Sequence, residues 1–324
     1  MMKLSVSAGC KLRRLLVRRP AVCAALVLAV AAAACSRNAP ESPAGLQTFA
    51  SPDAAAQAVY DAARANDTDA VLRIFGPTAK EFLVTGDPTH DLAAFKEFTD
   101  DYDHMHRWGK LLGGDRVLIV GVENYPFPFP LRKSADGRWQ FDAEGGRQEF
   151  LARGIGDNEL TIMGVLDALA NAQVEYYGSP RDGSKLQQYA QRFISSPGKK
   201  DGLYWSVAAG EPESPIGPLV AQAAKNGSAE FAAEPSPFHG YFFRMLTKQG
   251  SHAAGGARNY IVDGHMVGGF AFLAYPAEYR KTGVMSFLVS QDADLFQKDL
   301  GPQTAQVAES VTAFDPDRSW SAVQ

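Results

Sequence analysis

Six histidines are the first candidates for chemistry in this chain: His90, His104, His106, His239, His252 and His265. His104 and His106 stand beside Asp100, Asp101 and Asp103, a mixture of residue types that can ligate a divalent ion. The stripe Leu92, Phe95, Phe98, Tyr102 and Met105 recurs at steps of three and four, which predicts a helix. Residues two apart on a helix point about 200° away from each other, so the pair cannot share an ion there. A solvated face with Asp103 and Arg107 paired at i, i+4 is the expectation. His239 lies where "PSPFHGYFF" enters a strand, and His252 lies in the loop "GSHAAGG". His239, His252 and His265, converging with Asp263 or Asp292, would be the participants of an exported hydrolase or metal-dependent enzyme with its site between two domains. Ser251 and Ser286 are nucleophiles on paper only. No Gly-x-Ser-x-Gly, His-Glu-x-x-His, phosphate loop or Gly-x-Gly-x-x-Gly occurs, and spacing alone supports no triad. Structural roles for these polar residues are the expectation, and the sequence assigns no catalytic residue, metal or cofactor.

"YPFPFP", Tyr125 to Pro130, is the most unusual surface candidate. Alternating Phe and Pro forbids a central strand and favours an extended, polyproline-like edge. Phe127 and Phe129 then point the same way, either into a core or outward to a partner. The inward placement is the expectation, and both residues stay candidates for binding. Gly268 and Gly269 inside a strand mark either a bulge or a close approach of backbone.

Cys35 poses a different chemistry. Residues 1–20 carry Lys3, Lys11, Arg13, Arg14, Arg18 and Arg19 with no acid, and Ala21 to Ala34 is apolar throughout. Basic flank, short apolar run and small residues before a break read as a signal peptide over 1–34. A span would need roughly 20 apolar residues. Ala32-Ala33-Ala34-Cys35 resembles a bacterial lipobox, with Ala32 where Leu is preferred, and makes Cys35 the expected lipidation site. Ordinary cleavage at an Ala-x-Ala site is the alternative, giving a soluble periplasmic protein. An anchored form would sit on the periplasmic side of an envelope membrane, the outer membrane foremost, with an envelope protein as a possible partner. All three cysteines, Cys10, Cys23 and Cys35, fall in or directly after the leader. A mature chain would then hold no internal disulfide and no Cys-based site. Removing the leader's six bases leaves 26 Lys+Arg against 36 Asp+Glu, a net charge of −10. That acidity argues against nucleic acid and against adhesion to anionic lipid, so the lipid itself would be the membrane contact.

The elements that must position these groups follow from periodicity. Residues 35–46 read as a tether. Ser51 can cap a helix with Pro52 at its first position, and a short helix near Ala70 to Phe75 stops at Gly76-Pro77. "RVLIVGVENY" and "GRWQFDAE" read as strands with Asp136-Gly137 as a turn. The pattern gives an α+β domain over 47–155, with Gly154 and Gly156 as its boundary. A second α+β domain over 156–324 begins with a helix capped by Asp157 or Asn158. Its stripe is Ile162, Val165, Leu166, Leu169, Gln173 and Tyr176. A further amphipathic helix is predicted from Lys185 to Ile194, and loops from Ser195 to Pro237. An antiparallel meander then runs through "YFFRMLTKQ", "RNYIV", "HMVGGFAFLAY", "GVMSFLVS" and "ADLFQKD", with Asp263-Gly264 as a two-residue turn. A last helix lies around Gln303 to Ala313. The first half resembles the curved sheets of cystatin-like or NTF2-like folds. The second resembles the globular half of pilins, without their long apolar N-terminal helix.

Longer words carry a closer likeness. "YAQRFISSPGKKDGLYW", "GEPESPIGPLV", "HGYFFRMLTKQG", "GGFAFLAYPAEYRKTGVMSFLVSQD" and "FDPDRSW", with "ENYPFPFPL" and "GRWQFDAEGGRQEFL" upstream, resemble the bacterial secreted family known as domain of unknown function 2950. The resemblance implies a secreted or lipid-anchored envelope protein with no established activity; a binding or assembly role, using the antiparallel sheet and the loops from Ser195 to Pro237, is the expectation from the residues. Relatives carry an acidic loop before the YAQRF word. Ser179 to Lys185 here holds one acid between two bases, which puts a calcium role in doubt.

Overall fold

The computed structural model describes residues 46–84, 86–181, 185–207, 210–224 and 235–323. Cys35, the leader and the tether up to residue 45 lie outside the described residues, as does the middle of the Ser179–Lys185 loop. Helix α1 (Pro52–Arg64) starts as its sequence dictates. The Ser51 hydroxyl accepts from the Ala54 amide at 3.1 Å, and Pro52 opens the first turn. Helix α2 (Thr68–Phe75) is capped by Asp67 and ends at Gly76, whose φ of 91° only glycine adopts readily. A short α3 (Lys80–Leu83) leads to α4 (Pro88–His104). Strands β1 (His106–Lys110), β2 (Arg116–Val120), β3 (Tyr125–Pro126), β4 (Leu131–Lys133) and β5 (Trp139–Phe141) form an antiparallel sheet in the order β1-β2-β4-β5, with β3 also on β2.

Helix α4 stops where the periodic stripe would have carried it on. Met105 is extended, and His106 already belongs to β1. The expected Asp103–Arg107 pair is therefore not made. Asp103 accepts instead from the Tyr60 hydroxyl at 3.1 Å, and Arg107 donates to Asn124 at 2.9 Å.

Helix α5 (Ala143–Gly178) corrects the expected helix start at Asp157 or Asn158. It runs unbroken through Gly154 and Gly156, where an added Cβ would meet open space. Each glycine costs about 1 kcal/mol against alanine in a helix, and packing on both sides outweighs that. Phe150 packs in the core built from residues 49–141, while Ile162, Leu166 and Leu169 are buried in a second core that reaches Phe314. Asn158, one of the two expected caps, and its neighbour Glu159 instead reach across the chain. Asn158 donates to the Thr282 carbonyl at 2.9 Å, and Glu159 accepts from the Val284 and Met285 amides at 2.8 and 2.9 Å. The residue 155/156 division thus falls within a helix that serves both cores.

The second core lies under a five-stranded antiparallel sheet in the order β14-β13-β12-β11-β6. Its strands are β6 (Tyr241–Leu246), β11 (Ala271–Pro276), β12 (Met285–Ser290), β13 (Leu295–Asp299) and β14 (Ser321–Ala322). Between β6 and β11 come the short β7 (Lys248–Gln249), β8 (Arg258–Asn259), β9 (Ile261–Val262) and β10 (His265–Met266). Asp263 and Gly264, at φ 49° and 81°, make the predicted two-residue turn between β9 and β10. Helix α6 (Pro218–Gln222) interrupts the loop region, and α7 (Thr304–Ser310) packs on β11. Arg244 of β6 ties α7 down by donating to the Ala308 and Val311 carbonyls. Every residue of β11 is buried, which explains its unbroken apolar run. The class is mixed α+β with antiparallel sheets.

Three tyrosines in this core set its alkaline limit. Burial pushes Tyr260 and Tyr275 up to about 12 and drives Tyr241 higher still, where Glu159 adds to the shift. A raised folded value means that stability is full below the ordinary tyrosine value near 10 and is lost as pH rises through the folded one. Tyr260 and Tyr275 each contribute roughly 3 kcal/mol of this loss. Urea midpoints should be flat from pH 8 to 9.5 and fall steeply above pH 10. A flat profile to pH 11.5 would contradict their burial.

Candidate functional site

The three candidate histidines do not meet. His239 is exposed at φ 46°, with its ring edge-on to Phe238. His252 is held by Asp315, which accepts from its amide at 2.8 Å and contacts Nδ1 at 3.0 Å. His265 contacts Gln188 Oε1 at 2.9 Å through Nδ1. Asp292 accepts from Gln291, and Asp263 occupies the β9–β10 turn. Ser286 Oγ is buried in β12 with no hydrogen-bond partner among the described residues. His104 and His106 direct Nδ1 to the Asp100 and Tyr102 carbonyls, and the His106 ring stacks on Tyr102 at 3.8 Å. Among the described residues no group of three His, Cys, Asp or Glu side chains is placed to hold a metal ion. Among them, too, no helix is long and apolar enough to cross a membrane.

Phe127 and Phe129 point inward and belong to the first core, so the outward reading is corrected. Phe129 is fully buried and stacks on Phe75 at 4.3 Å, and Phe127 lies against Phe75 and Phe98 at 5.7 and 5.3 Å. Alternation along the extended segment puts both rings on the covered side of the sheet.

One of the three histidines leads to a site that sequence reasoning missed. Gln188, which contacts His265, is part of a cavity of about 130 Å³ lined by Tyr176, Gln188, Tyr189, Gln191, Arg192 and Asp201. The cavity is open to solvent. Its wall is the segment predicted as a helix from Lys185 to Ile194, which forms no helix. The backbone there bonds elsewhere. Ala190 exchanges both its groups with the fully buried Gln173 side chain of α5: its amide donates to Oε1 at 2.8 Å, and its carbonyl accepts from Nε2 at 2.9 Å. The Tyr189 amide donates to the Met266 carbonyl at 2.8 Å, and Gln191 Nε2 to the Gly264 carbonyl at 2.7 Å. The apolar stripe of Leu186, Tyr189 and Phe193 arises because Phe193 enters the core in an irregular segment, against Phe272.

The charged members are fixed by one hydroxyl. Arg192 Nη1 donates to Ser196 Oγ at 2.9 Å, and that hydroxyl donates to Asp201 at 2.9 Å. Burial raises the Asp201 carboxyl, but the amide and hydroxyl of Ser196, with Arg192 nearby, outweigh it and leave it below the usual carboxylate range. Gly202 lets the chain turn back here, since a Cβ would lie 2.7 Å from Ile194 and Ser195 backbone atoms. Tyr189 is held between Tyr177 at 4.8 Å and Phe270 at 4.9 Å. Beside Tyr176, the Arg181 guanidinium lies 5.1 Å from that ring and 4.8 Å from Trp205, over which Lys200 also sits. Among the described residues, Arg181 Nε and Trp205 Nε1 are buried donors without partners.

Two five-stranded antiparallel sheets, the two larger cores joined by one long helix and an open polar cavity at that helix's C-terminal end define a mixed α+β protein. Residues 46–323 match the family described as Protein of unknown function (DUF2950), and the chain belongs to that family. No curated protein and no solved structure is significantly similar to it.

Proposed function

We propose that this is an exported protein anchored to an envelope membrane through a lipid on Cys35, and that its folded part serves a binding role. The leader and the small residues before Cys35 support the anchor. The cavity at Tyr176 to Asp201 carries the binding role, because its polar groups are held in place by partners outside it before any ligand arrives. Preorganisation of this kind favours recognition by lowering the cost of ordering the site. The alternative, a hydrolase or metal-dependent enzyme, requires His239, His252 and His265 in one cleft, and each has its own separate neighbours.

The test is the intact mass of the N-terminal peptide from membrane-derived protein, beside Cys35→Ala. An acylated Cys35, with the variant released to the soluble periplasmic fraction, is expected. An unmodified N-terminus near Ala34 and soluble protein in both samples would contradict the anchor.

A further inference from the structure

We infer that the cavity takes an uncharged ring of a saccharide, an inference that rests on the binding role proposed above. Its lining mixes donors and acceptors on planar polar groups: two amides, one guanidinium and one carboxylate, beside two tyrosines. Each sugar hydroxyl both donates and accepts, so a ring needs such alternation, and its C–H face rests on an aromatic one. Gln188 is held through its Oε1 by His265, and Gln191 through its Nε2 by the Gly264 carbonyl, so both amides are fixed in place beside the cavity.

Charge points the same way. Arg192 and Asp201 are joined through Ser196 Oγ, so the site holds one positive and one negative group already coupled to each other. An ion would have to compete with that pairing, whereas a neutral hydroxyl bridges beside it. The cavity, about 130 Å³ and open to solvent, is below the size of pockets that enclose a ligand, so it would seat one edge of a ring and leave the rest in solvent.

The experiment is a ligand-observed NMR titration of the mature protein with glucose, galactose, N-acetylglucosamine and glucuronate, beside glycine and glycylglycine. Gln188→Ala and Asp201→Asn are run in parallel, each checked for an unchanged unfolding midpoint. At least one neutral sugar is expected to bind saturably, with affinity at least tenfold weaker in both variants. Sugar binding unaffected by both variants would overturn the site. Binding of glycine or glycylglycine in place of every neutral sugar, or of glucuronate alone, would overturn the ligand class. Binding of none would overturn the inference, while the anchoring of Cys35 is decided separately by its mass.

Discussion

Phe129→Ala is expected to destabilise the protein by about 4 kcal/mol. Phe129 is fully buried, stacks on Phe75 at 4.3 Å and meets Phe150 of α5 edge-on at 5.6 Å. Truncation removes the ring's transfer energy and leaves a void that Phe75 and Phe141, themselves fully buried, are poorly placed to fill. The contact with α5 gives a sharper form of the prediction. A Cβ on Gly146 would stand 2.0 Å from the Phe129 ring, so Gly146→Ala alone should cost about 1–3 kcal/mol despite alanine's better helix propensity. With Phe129→Ala present the obstruction is gone, and the glycine substitution should become neutral or stabilising. Urea midpoints for the two single variants and the double variant form the cycle. Additive losses would contradict the close approach of the "YPFPFP" segment to α5.

The second large effect concerns the cavity's support. Gln173→Leu preserves volume but leaves the Ala190 amide and carbonyl without partners in the interior. Each stranded backbone group costs about 1–3 kcal/mol, so a loss of roughly 4 kcal/mol is expected. Its location distinguishes it from a general core defect. Amide exchange should accelerate first at Tyr189 to Arg192, while β11 and β12 stay protected until global unfolding. Uniform acceleration across the second core would mean that Gln173 does not hold this segment.

Much of the fold is written locally. Ser51-Pro52 opens α1, Gly76 closes α2 and Asp263-Gly264 turns β9 into β10 because each is decided by a few adjacent dihedrals and one capping bond. Readings failed where distant contacts overrode local signals. Gly154 and Gly156 suggest a break, yet α5 continues because Phe150 and Ile162 are gripped by different cores. Leu186, Tyr189 and Phe193 have helical spacing, yet Ala190 satisfies its backbone with a side chain 17 residues away. The cavity was hidden for the same reason. Gln191 is set by Gly264, 73 residues on, and Gln188 by His265, 77 residues on. One sign was visible: Gln173 stands in an otherwise apolar stripe, and a polar residue there must find a buried partner. The Arg192–Ser196–Asp201 relay lies within the single word "YAQRFISSPGKKD", but nothing in its spacing shows that the chain folds back on itself at Gly202.

The central claim is that the folded part binds its ligand at the Tyr176–Asp201 cavity. Hydrogen exchange of the mature protein, with and without glycan fragments released from bacterial envelopes, tests it most directly. Slower exchange in peptides spanning residues 173–178 and 186–204, with the β1 edge and the His252 loop unchanged, is the predicted result. Protection confined to another face, or no change at saturating fragment, would contradict it.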